Sequence, residues 1–194
     1  HSGGTINILI NCAAQTIRLR EKQLYNVSGA EQNRYGDLKY VPHASVNSWN
    51  MRLEDLQQEE MEEVFRVNTI APTLLVQNLL PLFGKDSYII NVHAKEGLLD
   101  VHKSVYHTHT NMAKAGLHML TRCLQGLRAR DGSLLRVHGC DPGWISIDEY
   151  DLKRAPWIVP PLDEVDGASR ILYPLWIRAP SEWRTRRHFT QFKI

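Results

Sequence analysis

Three short apolar runs, each separated from the next by a long stretch of helical periodicity, constrain this chain more than any other feature. Thr5–Ala14 reads Thr-Ile-Asn-Ile-Leu-Ile-Asn-Cys-Ala-Ala, Ser87–His93 reads Ser-Tyr-Ile-Ile-Asn-Val-His, and Leu134–Cys140 reads Leu-Leu-Arg-Val-His-Gly-Cys. A continuous apolar run with no polar alternation marks a strand covered on both faces, which is the habit of parallel sheets. Between the runs, Leu56–Leu82 carries Met61, Val64, Phe65, Ala71, Leu75, Leu79 and Leu82 at helical spacing, with Glu59, Glu60, Glu62 and Glu63 early in it, where the helix dipole favours negative charge. Asn111–Arg130 carries Met112, Leu117, Leu120 and Leu124 on one stripe. Leu162–Leu175 predicts a third helix and His188–Lys193 a short last strand. Strands alternating with helices predict an α/β fold of parallel strands joined by right-handed crossovers.

The chain has 194 residues, enough for one domain and a sizeable core. Neither an internal repeat nor a domain boundary is visible, so residues 1–194 read as a single domain. The polar, irregular stretch from Arg18 to Glu54 is a long connection, of the kind that is usually functional or mobile. A formal net charge of +2 gives no reason to expect nucleic acid as a partner, and the basic run Arg184, Arg186, Arg187 and His188 reads as a solvated face. The three cysteines, Cys12, Cys123 and Cys140, are odd in number and widely spaced, which predicts neither a disulfide framework nor a zinc knuckle and fits an intracellular, reducing compartment, cytoplasm or organelle matrix. The Asn26-Val27-Ser28 sequon stands alone as a hint of secretion. No apolar run approaches the roughly 20 residues of a membrane span, and no signal peptide is visible.

The order of motifs resembles that of the short-chain dehydrogenase/reductase family. Leu9-Ile10-Asn11-Cys12-Ala13-Ala14 resembles the Asn-Asn-Ala-Gly turn after the family's fourth strand. Asn68 lies mid-helix, where the family has a structural and catalytic asparagine. Ile89-Ile90-Asn91-Val92-His93-Ala94 resembles the Ile-Val-Asn-Val-Ser-Ser strand, Met112-Ala113-Lys114-Ala115-Gly116-Leu117 the end of the Tyr-x-x-x-Lys helix, and Asp141-Pro142-Gly143-Trp144 the Pro-Gly turn beside the nicotinamide. Within the family the chain is similar to a divergent branch with His-Thr-Asn-Met-Ala-Lys and Pro-Pro-Leu-Asp-Glu-Val-Asp-Gly-Ala, here Pro160 to Ala168.

The resemblance implies a Rossmann-like doubly wound sheet, of which this chain would be the C-terminal portion with the first strands missing. It implies NAD or NADP as cofactor, held through Asn11, Ala13, Lys114, Pro142 and Gly143, with Asn68 and Lys114 in the catalytic set. It also implies a homodimer formed through the two long helices, or a place in a larger assembly. Pro72 stands four residues after Asn68, and proline has no N–H to offer the Asn68 carbonyl. On the residues alone, a plain kink and a carbonyl free to hold an ordered water stay equally open; the resemblance favours the water, as ancestry.

The chain departs from the family where the chemistry is done. The family's tyrosine, which protonates the carbonyl as hydride arrives, falls on Thr110, whose hydroxyl is far too weak an acid near neutral pH. The serine that polarises the carbonyl falls on Ala94. Strand alternation turns His93 to the opposite face. No Gly-x-x-x-Gly-x-Gly turn for a pyrophosphate occurs. These losses predict a protein impaired or inactive by the standard mechanism. Two alternatives remain open: a structural or interaction subunit, and an active reductase with a replacement acid, either Tyr106 or a histidine. His102, His107 and His109, with His93 nearby in sequence, read as loop histidines, and no metal site is expected. Finally, Ile6–Asn11 needs both backbone edges paired, so a strand from a preceding segment or another chain is expected beside it, away from Ser87–His93.

Overall fold

The computed structural model describes residues 4–15, 52–145 and 160–178. Strands β1 (Ile6–Asn11), β2 (Phe83–Val92) and β3 (Arg136–Cys140) form one sheet in the order β1-β2-β3. Both pairings are parallel, with Asn11 opposite Asn91 and Asn91 opposite Gly139. This is the Rossmann-like parallel arrangement that the apolar runs predict.

β2 is longer than its apolar run. Phe83-Gly84-Lys85-Asp86 reads as a turn, and Asp86 does take a positive φ of 65°. Pairing of Phe83 with Ile6, across a register irregularity between Ile6 and Ile8, draws these residues into the strand.

The long helical stretch before β2 is not one regular helix. Helix α1 (Gln58–Phe65) runs into a π-helical segment, Arg66–Ile70, and then into α2 (Ala71–Leu79). Pro72 removes the N–H that an α-helix would present to the Asn68 carbonyl, and the backbone widens there, so that the Ala71 N–H bonds to the Arg66 carbonyl five residues back. The kink expected at Pro72 takes the form of this wider turn.

Helix α3 (Thr108–Cys123) starts three residues earlier and ends seven earlier than the periodicity suggests. It ends because Gly126 takes a φ of +97°, and Arg128 turns back to bridge Leu134. Helix α4 (Glu164–Trp176) opens with a capping box in which Asp163 and Asp166 each bond the other's backbone N–H. Residues 188–193, expected as a last strand, lie outside the described residues.

Helices α1 to α3 cover one face of the sheet. There Ile89, Val76, Phe83, Ala129, Leu135 and Val137 form a dry core, with Ile6, Leu9 and Leu79 packed against it. On the other face α4 touches β2 and β3. Ile8 and Ile10 share that face with Tyr88 and Ile90 by register but are 48% and 37% exposed. The expectation that β1 is buried on both faces is therefore corrected, because the helix on this side reaches only the two other strands. Among the described residues β1 pairs with β2 alone, and no strand lies on its other edge. No helix of the described residues is long and apolar enough to cross a membrane.

Candidate functional site

Parallel strands bring their C-terminal ends to one edge of the sheet, the position where open α/β sheets bind ligands. Here that edge gathers Asn11 and Cys12 after β1, His93 and Ala94 after β2, Asp141 to Gly143 after β3, and Lys114 from α3.

Lys114 is 7% exposed, and its Nζ donates to the Val92 carbonyl at 3.0 Å. Burial disfavours the ammonium form and holds its pKa below the ordinary lysine value; interactions with Cys12, Asp141 and Glu96 act in the opposite sense. Asn68 is buried on the π segment. Its Oδ1 accepts the Gln15 N–H at 2.9 Å and its Nδ2 donates to the Gln15 carbonyl at 3.4 Å, so it pins the turn that follows β1. The widened turn is itself seated on α3: Thr69 Oγ1 donates to the Ala113 carbonyl at 2.7 Å, and a Cβ on Gly116 would stand 3.0 Å from Thr69 Cγ2.

Thr110, one turn before Lys114, is 1% exposed, and its hydroxyl finds no hydrogen-bond partner among the described residues. Ala94 is extended, and its carbonyl accepts from Gly97 N–H at 3.0 Å and from His118 Nε2 at 3.1 Å. Ala13 is exposed in the turn after Asn11. At Pro142-Gly143, Gly143 has a φ of +81° and donates its N–H to Asp141 Oδ1 at 2.8 Å. That positive φ favours glycine in the turn.

The alternative acids weighed from the sequence were Tyr106 and a histidine. Tyr106 is exposed, and its backbone bridges Arg52. His109 is fully buried, neither ring nitrogen has a partner among the described residues, and burial with His107 nearby lowers its pKa to about 4. A proton held that weakly is absent near neutral pH. His102 is exposed, and the described residues contain no group of three metal-ligating side chains.

Sequence reasoning missed the polar chain under the site. Asn11 Nδ2 donates to Asn91 Oδ1 at 2.8 Å, Asn91 Nδ2 donates to Thr121 Oγ1 at 2.8 Å, and Thr121 Oγ1 lies 2.7 Å from His93 Nε2. His93 does face away from the Val92 side of the strand, as alternation predicts. Its ring lies against Gly139, which has no Cβ to displace it, and against the ring of His118, with centroids 3.8 Å apart. The available signal was spacing: His118 and Thr121 follow Lys114 by four and seven residues on one helical stripe.

The residues present fit the nicotinamide and ribose end of a dinucleotide better than its pyrophosphate. A buried lysine, a pinned asparagine and a tight Pro-Gly turn belong to the elements at this end of the sheet, whereas no glycine-rich phosphate turn occurs in the sequence.

Comparison with known proteins agrees with the parallel α/β fold. The family model described as short chain dehydrogenase matches residues 19–151. An uncharacterized protein of Acanthamoeba polyphaga mimivirus is 41% identical over 157 residues, which cover 76% of this chain and 33% of that protein. Among solved structures, an oxidoreductase of the short chain dehydrogenase/reductase type from Brucella ovis matches with a TM-score of 0.54 at 17% identity, over 97% of this chain and 67% of that one. A landomycin C-6 ketoreductase solved with bound NADP and rabelomycin matches with a TM-score of 0.50 at 18% identity, over 73% of this chain and 42% of its own. The chain thus spans a third of its viral relative and less than half of the ketoreductase.

Proposed function

The chain belongs to the short-chain dehydrogenase family, and from that premise we propose that it retains the nicotinamide-dinucleotide crevice of an oxidoreductase while being impaired or inactive by the standard hydride-transfer mechanism. One observation carries the reading. The hydroxyl one turn before Lys114 belongs to Thr110, is 1% exposed and is no phenol, and the position of the family's serine is Ala94, with no polar side chain. A bound nicotinamide would supply the hydride; Lys114 would hold the ribose, with Asn11, Ala13, Pro142 and Gly143 bordering it and Asn68 fixing the turn beneath. NAD and NADP are equally compatible with these residues, and the NADP in the solved ketoreductase supports a dinucleotide of this type. Among the described residues, the position of the family's acid holds Thr110, whose hydroxyl is too weak an acid to protonate a carbonyl oxygen near neutral pH. Loss of a positioned acid costs on the order of 10²–10⁴ in rate.

The test is a cofactor titration followed by turnover. NADPH and NADH are titrated into the protein by fluorescence, then ordinary ketones and alcohols are assayed. Binding without detectable turnover is expected. Robust turnover would overturn the reading and direct attention to Tyr106 or a histidine as the acid.

A second reading, a subunit that uses this fold for its surfaces, is favoured by one observation. Leu74 and Leu75 on α2 and Met112 and Met119 on α3 are all exposed. These are the helices through which a homodimer is expected. Light scattering decides it: a dimer that survives dilution supports this face as an interface, and a monomer removes it.

A further inference from the structure

Lys114, His118 and Thr121 lie at i, i+4 and i+7 on α3, which places them on one stripe of the helix. Each grips a successive part of the tip of β2. Lys114 Nζ donates to the Val92 carbonyl at 3.0 Å, His118 Nε2 meets the Ala94 carbonyl at 3.1 Å, and Thr121 Oγ1 meets the side chains of His93 and Asn91 at 2.7 and 2.8 Å. A carbonyl only accepts, so His118 must carry its proton on Nε2. Thr121 gives its own proton to the Leu117 carbonyl at 2.9 Å and accepts from Asn91, so His93 also carries its proton on Nε2.

Two glycines make room for this arrangement. Gly139 leaves space for the His93 ring. Gly97, in the turn after Ala94, would bring a Cβ to 2.6 Å from His118 Cδ2 and 2.6 Å from the Lys114 carbonyl carbon. The turn Ala94–Gly97 is thus pressed onto α3 between Lys114 and His118.

We infer that His118 is a positioning residue for the site: its ring ties the Ala94 carbonyl to α3 and so fixes the enclosed place in which the Lys114 amine stands. This rests on the reading of Lys114 as the group that would hold the cofactor's ribose. Lys114 and Thr121 hold β2 itself, whereas His118 is the side chain among the three that holds the turn beyond it. Without that tie the turn is free to lift from the helix and admit water beside Lys114.

The experiment follows the Lys114 amine directly. The protein is labelled biosynthetically with ¹³C at lysine Cε, the Lys114 signal is assigned by its loss in Lys114→Met, and its titration is followed by NMR. In the wild type it titrates below the ordinary lysine value, from burial. His118→Asn, whose amide is too short to reach the Ala94 carbonyl, moves the midpoint up toward the ordinary value. His118→Gln, whose N–H reaches as far as the imidazole Nε2, keeps the wild-type midpoint. An unchanged midpoint in His118→Asn, or equal shifts in both variants, overturns the inference. A second measurement needs no variant: the ¹⁵N spectrum of the wild type must show His118 protonated at Nε2, and the Nδ1–H tautomer overturns the tie. NADPH titration of the same samples keeps the two readings apart. Failure of the wild type to bind removes the ribose role of Lys114, and the NMR titration alone then judges the dependence on His118.

Discussion

The two ends of the three-stranded sheet are built from different chemistry. Toward the starts of β2 and β3 burial under α2 is mainly apolar: Phe83, Ile89, Leu135 and Val137 pack with Val76. A few residues further along, and on the part of α3 beside them, polar side chains are buried as well: Asn11, Asn91, His93, Thr121, Lys114 and Asp141. The first end draws its stability from apolar burial, which asks little of direction. The second depends on hydrogen bonds of fixed geometry, which hold only where donor and acceptor both stay in place. The lesson is that β2 carries the load of the fold at one end and the architecture of the site at the other, and a substitution should be felt differently at each.

The largest expected effect is at the apolar end. Ile89 is fully buried with the five other residues of the cluster, so Ile89→Ala should cost about 2–5 kcal/mol through lost contacts and the cavity left behind. Chemical denaturation measures it; a loss under about 1 kcal/mol would mean that the apolar end does not carry the fold.

Next comes the polar end. Gly139→Ala drives a methyl into the His93 ring, which must leave Thr121 and crowd His118. A cost of about 1–3 kcal/mol is expected, with loss of the His93 Nε2 hydrogen bond by ¹⁵N NMR. Retention of that bond in the variant would show that the ring has room the present packing denies it.

A smaller effect depends on pH. His109 has a folded pKa of about 4, below its unfolded value near 6.5. The unfolded chain therefore binds the extra proton first, and stability is lost as pH falls from 6.5 toward 4. Comparing denaturation curves of the wild type and His109→Leu over that window should show a shallower slope in the variant, by roughly 1–2 kcal/mol across the range. Parallel slopes would mean that the His109 ring is hydrated.

The smallest effect on stability is expected at Lys114. Its ammonium is desolvated, so Lys114→Met should change stability by less than about 1 kcal/mol, most visibly by removing the rise in wild-type stability as pH climbs toward the unfolded lysine value near 10.4. Cofactor binding, in contrast, should be lost. A large destabilisation would make the lysine part of the load-carrying end after all.

Particular residues show what could be read in advance. Ile89-Ile90 and Leu135 to Val137 announced their strands because an apolar run has few other places to go. Periodicity placed the start of α4 at Leu162, close to the local cap of Asp163 and Asp166 that fixes it, but carried α3 on to Arg130, past the turn at Gly126. Phe83 to Asp86 gave no such sign, because their strand character comes from Ile6 across the sheet. The positions of Asn68, Thr110, Ala94 and Lys114 were legible only as an order of motifs; their distances were not.

By itself, the sequence determined the α/β class, the parallel sheet and the loss of the serine and tyrosine from their expected positions. Those follow from periodicity, from apolar runs and from the identity of single residues, all of which are local. Only the tertiary structure decided that Pro72 would widen a helix beside Asn68, that Ile8 and Ile10 would stay partly exposed, and that His93, His118 and Thr121 would meet over two glycines. Those outcomes depend on groups tens of residues apart arriving within about 3 Å of each other, a distance that is set by how helices and strands pack.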